Sequence, residues 1–393
     1  GWRWEVVRYA HKVFAVYDAL YDYDGIGVWL DADCVTYQPL PEGMRRKEPP
    51  RLPELSQPQV VRHYFRLSQE TLGADLNVDV GQGTCTMKYS PKVNEELCGL
   101  PRMADLHPYQ DASTVQGILE IMYKTRDFLR EISGMDEICF QPTSGGQAVY
   151  TAASIVRAYH QARGEGEKRD QVITTIFSHP VDAACPATVG YEVITLMPDK
   201  DGYPDFEALK AALSERTAAL FITNPEDIGL YNPRIEEFVR LVHGAGGICF
   251  TDQANANGVL GKARAADVGF DMCHFNLHKT FSSPHGGMGP GCGALAVKEH
   301  LAKFLPVPVV RKEGNRYGLD YDRPDSIGKV RDFYGNAQVI LRTYAWIMSL
   351  GAEGLRGFWT WFLNLPGVAW FGLDKYAILG GAVVGLILGA ALV

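Results

Sequence analysis

The feature that most constrains this chain is a regular alternation of strand-like and helix-like segments between about residues 44 and 356. Short apolar runs predict strands, and the amphipathic stretches between them predict helices. Strands that alternate with helices favour an α/β fold with a mostly parallel sheet covered on both faces. The predicted strands are 137–141, 171–177, 192–196, 218–223, 248–252 and 293–297.

Two of the predicted helices show their ends in the sequence. Asp205 precedes a helical stretch at 206–216 and can cap it, because its carboxylate can accept hydrogen bonds from the first turn. Gly244 follows a second stretch at 235–243, where a helix commonly ends on glycine. In a parallel sheet, ligands bind at the carboxyl ends of the strands. The residues that follow each strand are therefore the candidates for a functional site.

Composition and charge indicate a globular chain and argue against several functions. Hydrophobic residues make up 46% of the chain and charged residues 21%, which excludes a disordered or collagen-like protein. The net charge of −8 supplies no basic face, so no nucleic-acid partner is expected. The cysteines show no C-x-x-C spacing, which argues against a zinc ribbon. Cys139 and Cys249 are predicted as small core residues of a reduced, cytoplasmic protein.

The first 43 residues differ from this central region. An apolar run ends in Asp31 and Asp33, and it resembles a motif of glycosyltransferases in which two carboxylates hold a divalent cation against a diphosphate. A solvated turn is the favoured interpretation, and we predict no metal site. The chain begins without Met and without a signal peptide, which predicts a fragment or a processed product.

The last stretch, 357–393, is strongly apolar and has one acid and one base, Asp374 and Lys375. Residues 377–393 are uncharged and reach the lower length limit for a membrane-spanning helix. Their glycines recur at every fourth position, as in packed membrane helices. A membrane hairpin and a buried, glycine-rich core helix both remain open for this stretch.

Residues after the predicted strands indicate a site for pyridoxal 5′-phosphate (PLP). Lys279 follows His278 and precedes hydroxyl residues and a glycine-rich segment, a setting that suits a Schiff-base lysine. Asp252 closes a strand and can pair with the pyridinium nitrogen, although a helix N-cap is its structural alternative. His179 follows another strand, where its imidazole can stack on the pyridine ring.

Two further strand ends agree with this interpretation. Ser144 and Gly145 open a predicted helix that runs toward Ala158, and the N-terminus of a helix is an anion site, here for the cofactor phosphate. Asn224 precedes Pro225, and its amide can reach the phenolic oxygen of the ring. An Asn-Pro turn explains the same residues equally well.

Several long motifs make the chain similar to one family, the PLP-dependent glycine dehydrogenase (decarboxylating), which is the P-protein of the glycine cleavage system, and in particular to its subunit 2. The motifs lie at 46–50, 84–92, 106–110, 276–291 and 333–336. The resemblance covers about residues 44–356 and implies a fold type I, aminotransferase-like domain. The small carboxy-terminal domain of the family is not recognisable after about Gly357, and we expect it to be missing.

The resemblance also implies an activity and the residues that carry it. Glycine would lose CO2 and pass its aminomethyl group to the lipoyl arm of the H-protein, in a heterotetramer with subunit 1. The alternatives are an inactive homologue that is membrane-tethered or binds a partner, a different PLP decarboxylase, and a glycosyltransferase. The predicted catalytic residues are Lys279 and His179, and the predicted cofactor-binding residues are Lys279, Asp252, His179, Ser144, Gly145, Asn224 and His278.

Overall fold

The computed structural model describes residues 55–70, 91–281, 283 and 291–350. The chain divides into two compact units, Gly1–Thr71 and Leu72–Val393. In the first unit the described residues form helix α1, Gln57–Glu70. The predictions for 1–43 and 357–393 lie outside the described residues. Among the residues that are described, no helix has both the length and the apolar character that crossing a bilayer requires.

The second unit contains a seven-stranded sheet. Its strands are, in chain order, β1 (Glu137–Cys139), β2 (Gln171–Thr175), β3 (Glu192–Leu196), β4 (Thr217–Thr223), β5 (Ile248–Asp252), β6 (Met272–Asn276) and β7 (Gly293–Val297). Their order across the sheet is β1-β7-β6-β5-β4-β2-β3. Strand β7 is antiparallel to both of its neighbours, β1 and β6. The remaining pairs of neighbouring strands are parallel. The predicted, mostly parallel sheet is therefore confirmed.

Helices pack on both faces of this sheet. The alternation along β5 shows the two faces: Ile248 and Phe250 join one apolar cluster and Cys249 joins the other. A separate hairpin is formed by β8 (Val309–Glu313) and β9 (Arg316–Asp320). The helices are α2 (Lys92–Gly99), α3 (Pro101–Ala104), α4 (Gln116–Ser133), α5 (Gly145–Ala162), α6 (Val181–Val189), α7 (Phe206–Ala212), α8 (Ile235–Gly244), α9 (Ala265–Val268), α10 (Glu299–Ala302) and α11 (Ala337–Leu350), with a 3-10 turn at Ala112–Thr114.

The predicted ends of helix α7 and strand β1 can be compared with the structure. Asp205 caps α7 as predicted, and its carboxylate accepts from two backbone N–H groups of the first turn at 2.8 and 3.0 Å. Helix α7 ends at Ala212, earlier than predicted, because a turn at Ser214 leads directly into β4. Strand β1 is shorter than predicted because the side chain of Gln141 bonds to the backbone of a neighbouring loop instead of continuing the sheet.

The cysteines in the described part of the chain are all free. Cys139 and Cys249 are buried, as predicted for small core residues. Strand β6 is a strand that the sequence pattern did not predict. It lies in the middle of the sheet and is buried along its whole length, and it carries the chain from the core to Lys279.

Candidate active site

Three adjacent strands of the sheet end in polar residues that lie side by side. Thr223 of β4 is in register with Asp252 of β5, which is in register with His274 of β6. The Asp252 carboxylate is buried, and its Oδ1 accepts from the Ala254 N–H group at 2.8 Å. The same oxygen lies 3.6 Å from Nε2 of His274. This carboxylate is therefore held in place at the carboxyl edge of the sheet.

His274 is a neutral neighbour of this carboxylate. Its ring is fully buried and stacks on Phe250, with centroids 5.8 Å apart and 5° between the ring planes. Burial lowers the pKa of His274, and although Asp252 raises it, Lys279 and His179 lower it further. Neither ring nitrogen has a hydrogen-bond partner in the described part of the chain. Burial therefore disfavours a charged His274 beside Asp252.

Lys279 lies in the turn that follows β6. Its N–H group donates to the Asn276 carbonyl at 2.9 Å, and its side chain is half-buried. The next residue, Thr280, accepts a hydrogen bond at Oγ1 from the Ala256 N–H group at 2.9 Å. This bond joins the lysine turn to the loop that follows Asp252. The two predicted residues are thus brought to the same edge by neighbouring strands.

The charged groups at this edge act on one another. Burial raises the pKa of the Asp227 carboxyl, the nearby His179 and Lys279 lower it, and the negative charge of Asp252 raises it. Asp227 follows β4 and was not predicted as a site residue. Asp227 therefore lies within electrostatic range of His179, Asp252 and Lys279.

His179 is fixed by two hydrogen bonds between the end of β2 and the start of α6. Its backbone N–H group donates to Thr223 Oγ1 at 3.0 Å. Its Nδ1 accepts from the Val181 N–H group at 3.2 Å, so in a neutral ring the proton is on Nε2. These bonds determine both the position of the residue and the orientation of its imidazole.

A buried network of hydroxyl and carboxyl groups lies next to His179. Thr223 donates from Oγ1 to Asp182 Oδ2 at 2.9 Å and from its backbone N–H to Ser178 Oγ at 2.9 Å. The hydroxyl of Ser178 is 2.8 Å from that of Thr175, which also bonds to Glu226. Burial is the main cause that raises the pKa of both Asp182 and Glu226. None of this network was predicted from the sequence.

The start of helix α5 lies against the ends of the strands. Ser144 caps this helix, since its hydroxyl accepts from the Gln147 N–H group at 3.1 Å. A Cβ atom on Gly145 would lie 2.8 Å from Nδ2 of Asn276 and 3.2 Å from Nε2 of His274. Glycine therefore allows the helix N-terminus to approach the same edge as Asp252. Its exposed N–H groups provide a place for an anion.

His278 and Asn224 are both held by the protein itself. His278 is buried, and its Nδ1 accepts from the Cys292 N–H group at 3.2 Å. Asn224 is also buried, and its Oδ1 accepts from the Asn232 N–H group at 2.9 Å. These hydrogen bonds give both buried side chains a partner within the protein, so a structural role accounts for each of them. Contact of either one with a cofactor remains a prediction.

The groups at this edge fit the parts of PLP. If PLP binds here, Lys279 would supply an amine for the aldehyde, Asp252 a buried carboxylate for the pyridine nitrogen and His179 an imidazole for the face of the ring. The N-terminus of α5 would supply N–H donors for the phosphate, and a Cβ on Gly145 would crowd Asn276 and His274 there. The sequence-predicted residues Lys279, Asp252, His179, Ser144 and Gly145 thus come together at one edge of the sheet.

Comparison with known proteins agrees with the sequence motifs. The family model described as aminotransferase class-V matches residues 111–312. A protein of Pyrococcus abyssi named "Probable glycine dehydrogenase (decarboxylating) subunit 2" is 48% identical over 319 residues, which is 81% of this chain and 63% of the relative. A protein of the same name from Caldanaerobacter subterraneus subsp. tengcongensis is 48% identical over 317 residues, 81% of this chain and 65% of that protein. The predicted resemblance is confirmed, and the chain spans slightly less than two thirds of these relatives.

Solved structures confirm the fold. A crystal structure of glycine decarboxylase (P-protein) of the glycine cleavage system, in inhibitor-bound form, matches with a TM-score of 0.65 at 22% identity, over 84% of this chain and 77% of that one. A cysteine desulfurase of Escherichia coli matches with a TM-score of 0.52 at 16% identity, over 74% and 72% of the two chains. The predicted aminotransferase-like fold is thus confirmed. Class-V aminotransferases depend on PLP, which is the cofactor that the sequence predicted.

Proposed function

Because this chain belongs to the class-V aminotransferase family, we propose that it is the PLP-binding subunit 2 of a glycine dehydrogenase (decarboxylating). The observation that carries the proposal is 48% identity over 319 residues to relatives of that name. The edge of the sheet supports it, since Lys279, Asp252 and His179 lie there around the start of α5. The reaction converts glycine to CO2 and an aminomethyl group that passes to the lipoyl arm of an H-protein.

Each of these residues has a distinct part in the reaction. PLP, when bound, supplies an electron sink for the charge that remains when glycine loses CO2. Asp252 would hold the pyridine nitrogen of the cofactor, with His274 beside it. Lys279 would hold the cofactor through its aldehyde and could move a proton at Nζ. His179 would contact one face of the ring.

The proposal includes two protein partners and a compartment. The relatives are named subunit 2, which supports a subunit 1 as the partner in a heterotetramer. The lipoyl arm of the H-protein is the acceptor of the aminomethyl group. We place the protein in the cytoplasm, since its described cysteines are free and lie mostly in the core.

The first experiment tests the cofactor site. The purified chain is incubated with PLP, reduced with borohydride and digested, and the modified lysine is identified by mass spectrometry. We expect a phosphopyridoxyl group on Lys279 that is lost in Lys279→Ala. Lys298→Ala is the matched control, because Lys298 follows β7 at the opposite edge of the sheet. An adduct elsewhere, or none, would contradict the assigned site.

The second experiment tests the reaction. The chain is combined with subunit 1 and lipoylated H-protein, and exchange of labelled bicarbonate into the carboxyl group of glycine is measured. Exchange that requires both partners and is lost in Lys279→Ala is the expected result. A Lys279 adduct without exchange would instead identify the chain as an inactive homologue that binds PLP and its partner.

A further inference from the structure

We infer that the edge of the sheet opposite the active site binds a zinc ion through His243, Cys249 and Asp271, with water at the fourth position. A ring nitrogen of His243, Sγ of Cys249 and a carboxylate oxygen of Asp271 all lie within 4.8 Å of one another. Among the described residues, no other set of three or more His, Cys, Asp or Glu side chains converges in this way.

Three parts of the fold bring these side chains together. His243 lies in the last turn of α8, Cys249 is the second residue of β5, and Asp271 directly precedes β6. They meet at the amino ends of the parallel strands. Asp252, at the other end of β5, is three residues from Cys249, which is about 10 Å along a strand. The two sites are thus separate.

Asp271 is the centre of the group. Its Oδ2 accepts from the Cys249 N–H group at 2.7 Å and lies 2.8 Å from Nε2 of His243. Its Oδ1 lies 3.4 Å from Nε2 of His300. The backbone bond from Cys249 fixes the orientation of the carboxylate, as hydrogen bonds around metal ligands commonly do. The Asp271 carboxylate therefore already holds the His243 imidazole near the Cys249 thiol.

The donor atoms select the kind of ion. Thiolate, imidazole and carboxylate together suit zinc, whereas magnesium and calcium prefer oxygen ligands alone. Bond lengths of about 2.0–2.3 Å in a tetrahedral zinc site place the ligand atoms roughly 3.3–3.6 Å apart. The separations in the present structure are at most 4.8 Å, so the three side chains must move closer together around the ion. The ion replaces the proton between His243 and Asp271 and the proton of the Cys249 thiol.

Charge and access also favour such a site. One thiolate, one carboxylate and one neutral imidazole balance the double charge of zinc, so the filled site is neutral where it is buried. The side chain of His243 is 39% exposed, and that of Asp271 is 10% exposed. An ion therefore enters past the imidazole, and Cys249 closes the inner side. The bound ion joins helix α8 to two central strands.

Cobalt substitution tests the inference without requiring PLP or activity. The chain is stripped with EDTA and titrated with Co²⁺. We expect the visible bands of tetrahedral cobalt together with a sulfur-to-cobalt charge-transfer band, both removed by an excess of Zn²⁺. Cys249→Ala should abolish the charge-transfer band, and His243→Gln should weaken Co²⁺ binding by about 10- to 100-fold.

Cys273→Ala is the matched control, because Cys273 is an equally buried cysteine in the neighbouring strand β6 and lies outside the group. It should leave the cobalt spectrum unchanged. His243→Gln, at a half-exposed side chain, gives a result even if Cys249→Ala does not fold. The absence of a tetrahedral spectrum, or a charge-transfer band that survives Cys249→Ala, would overturn the site.

Discussion

Replacing Asp182 by asparagine should remove a defined part of the pH dependence of stability. Asp182 is fully buried in the first turn of α6, and its Oδ2 accepts from the Thr223 hydroxyl at 2.9 Å. Its Oδ1 has no hydrogen-bond partner among the described residues. Burial raises the pKa of Asp182 well above its usual value, and the charge of Asp252 raises it further. The carboxyl group is therefore protonated in the folded protein at pH values where the unfolded chain ionises it.

The sign and size of the effect follow from proton binding. Between the ordinary carboxyl pKa of about 3.9 and the raised pKa of the folded state, the folded protein binds one more proton at Asp182 than the unfolded chain does. The free energy of unfolding then falls as pH rises, by up to about 1.4 kcal/mol per pH unit from this group. An asparagine does not titrate, and its Oδ1 still accepts the hydrogen bond from Thr223.

Urea unfolding followed by circular dichroism, at several pH values above about 4, measures this difference. Asp182→Asn should gain stability relative to the wild type as pH rises, because it removes the buried carboxyl that binds a proton in the folded protein. Asp182→Ala is the control: it loses the Thr223 bond and about 1–3 kcal/mol, yet it shares the altered slope. If the stability of the wild type and of Asp182→Asn changed in parallel with pH, the claim that Asp182 is protonated in the folded protein would be refuted.

Three further predictions concern stability, and denaturant unfolding checks each one. Gly293→Ala should lower the free energy of unfolding by about 1–3 kcal/mol, because its Cβ would overlap the Ser144 carbonyl oxygen. Gly117→Ala is its control: the space around Gly117 is open, so this change should raise the free energy of unfolding by roughly 0.5 kcal/mol. Asp205→Ala should lower the free energy of unfolding by about 1 kcal/mol by removing the cap of α7. An unchanged denaturation midpoint would contradict a stabilising role for this cap. Phe250→Ala, fully buried in the core, should cost about 3–5 kcal/mol.

Local signals in the sequence were sufficient for much of the fold. The apolar run of β5 and the capping residue Asp205 are each determined by a few neighbouring residues, and the structure shows both. Lys279 and Asp252 could be placed at one edge because parallel strands bring their carboxyl ends together. Strand β6 was missed because it contains His274 and Asn276, polar residues whose burial depends on the strands beside them.

Short motifs and local periodicity were thus enough to predict the family, the cofactor and the residues that follow each strand. Which side chains meet depends on the tertiary fold. Asp182 contacts Thr223 across 41 positions of the chain, and Cys249 contacts Asp271 across 22. No spacing rule connects such residues, because helical crossovers of different lengths return the chain to the same edge of the sheet. Packing between strands therefore creates both the buried network next to His179 and the proposed zinc site.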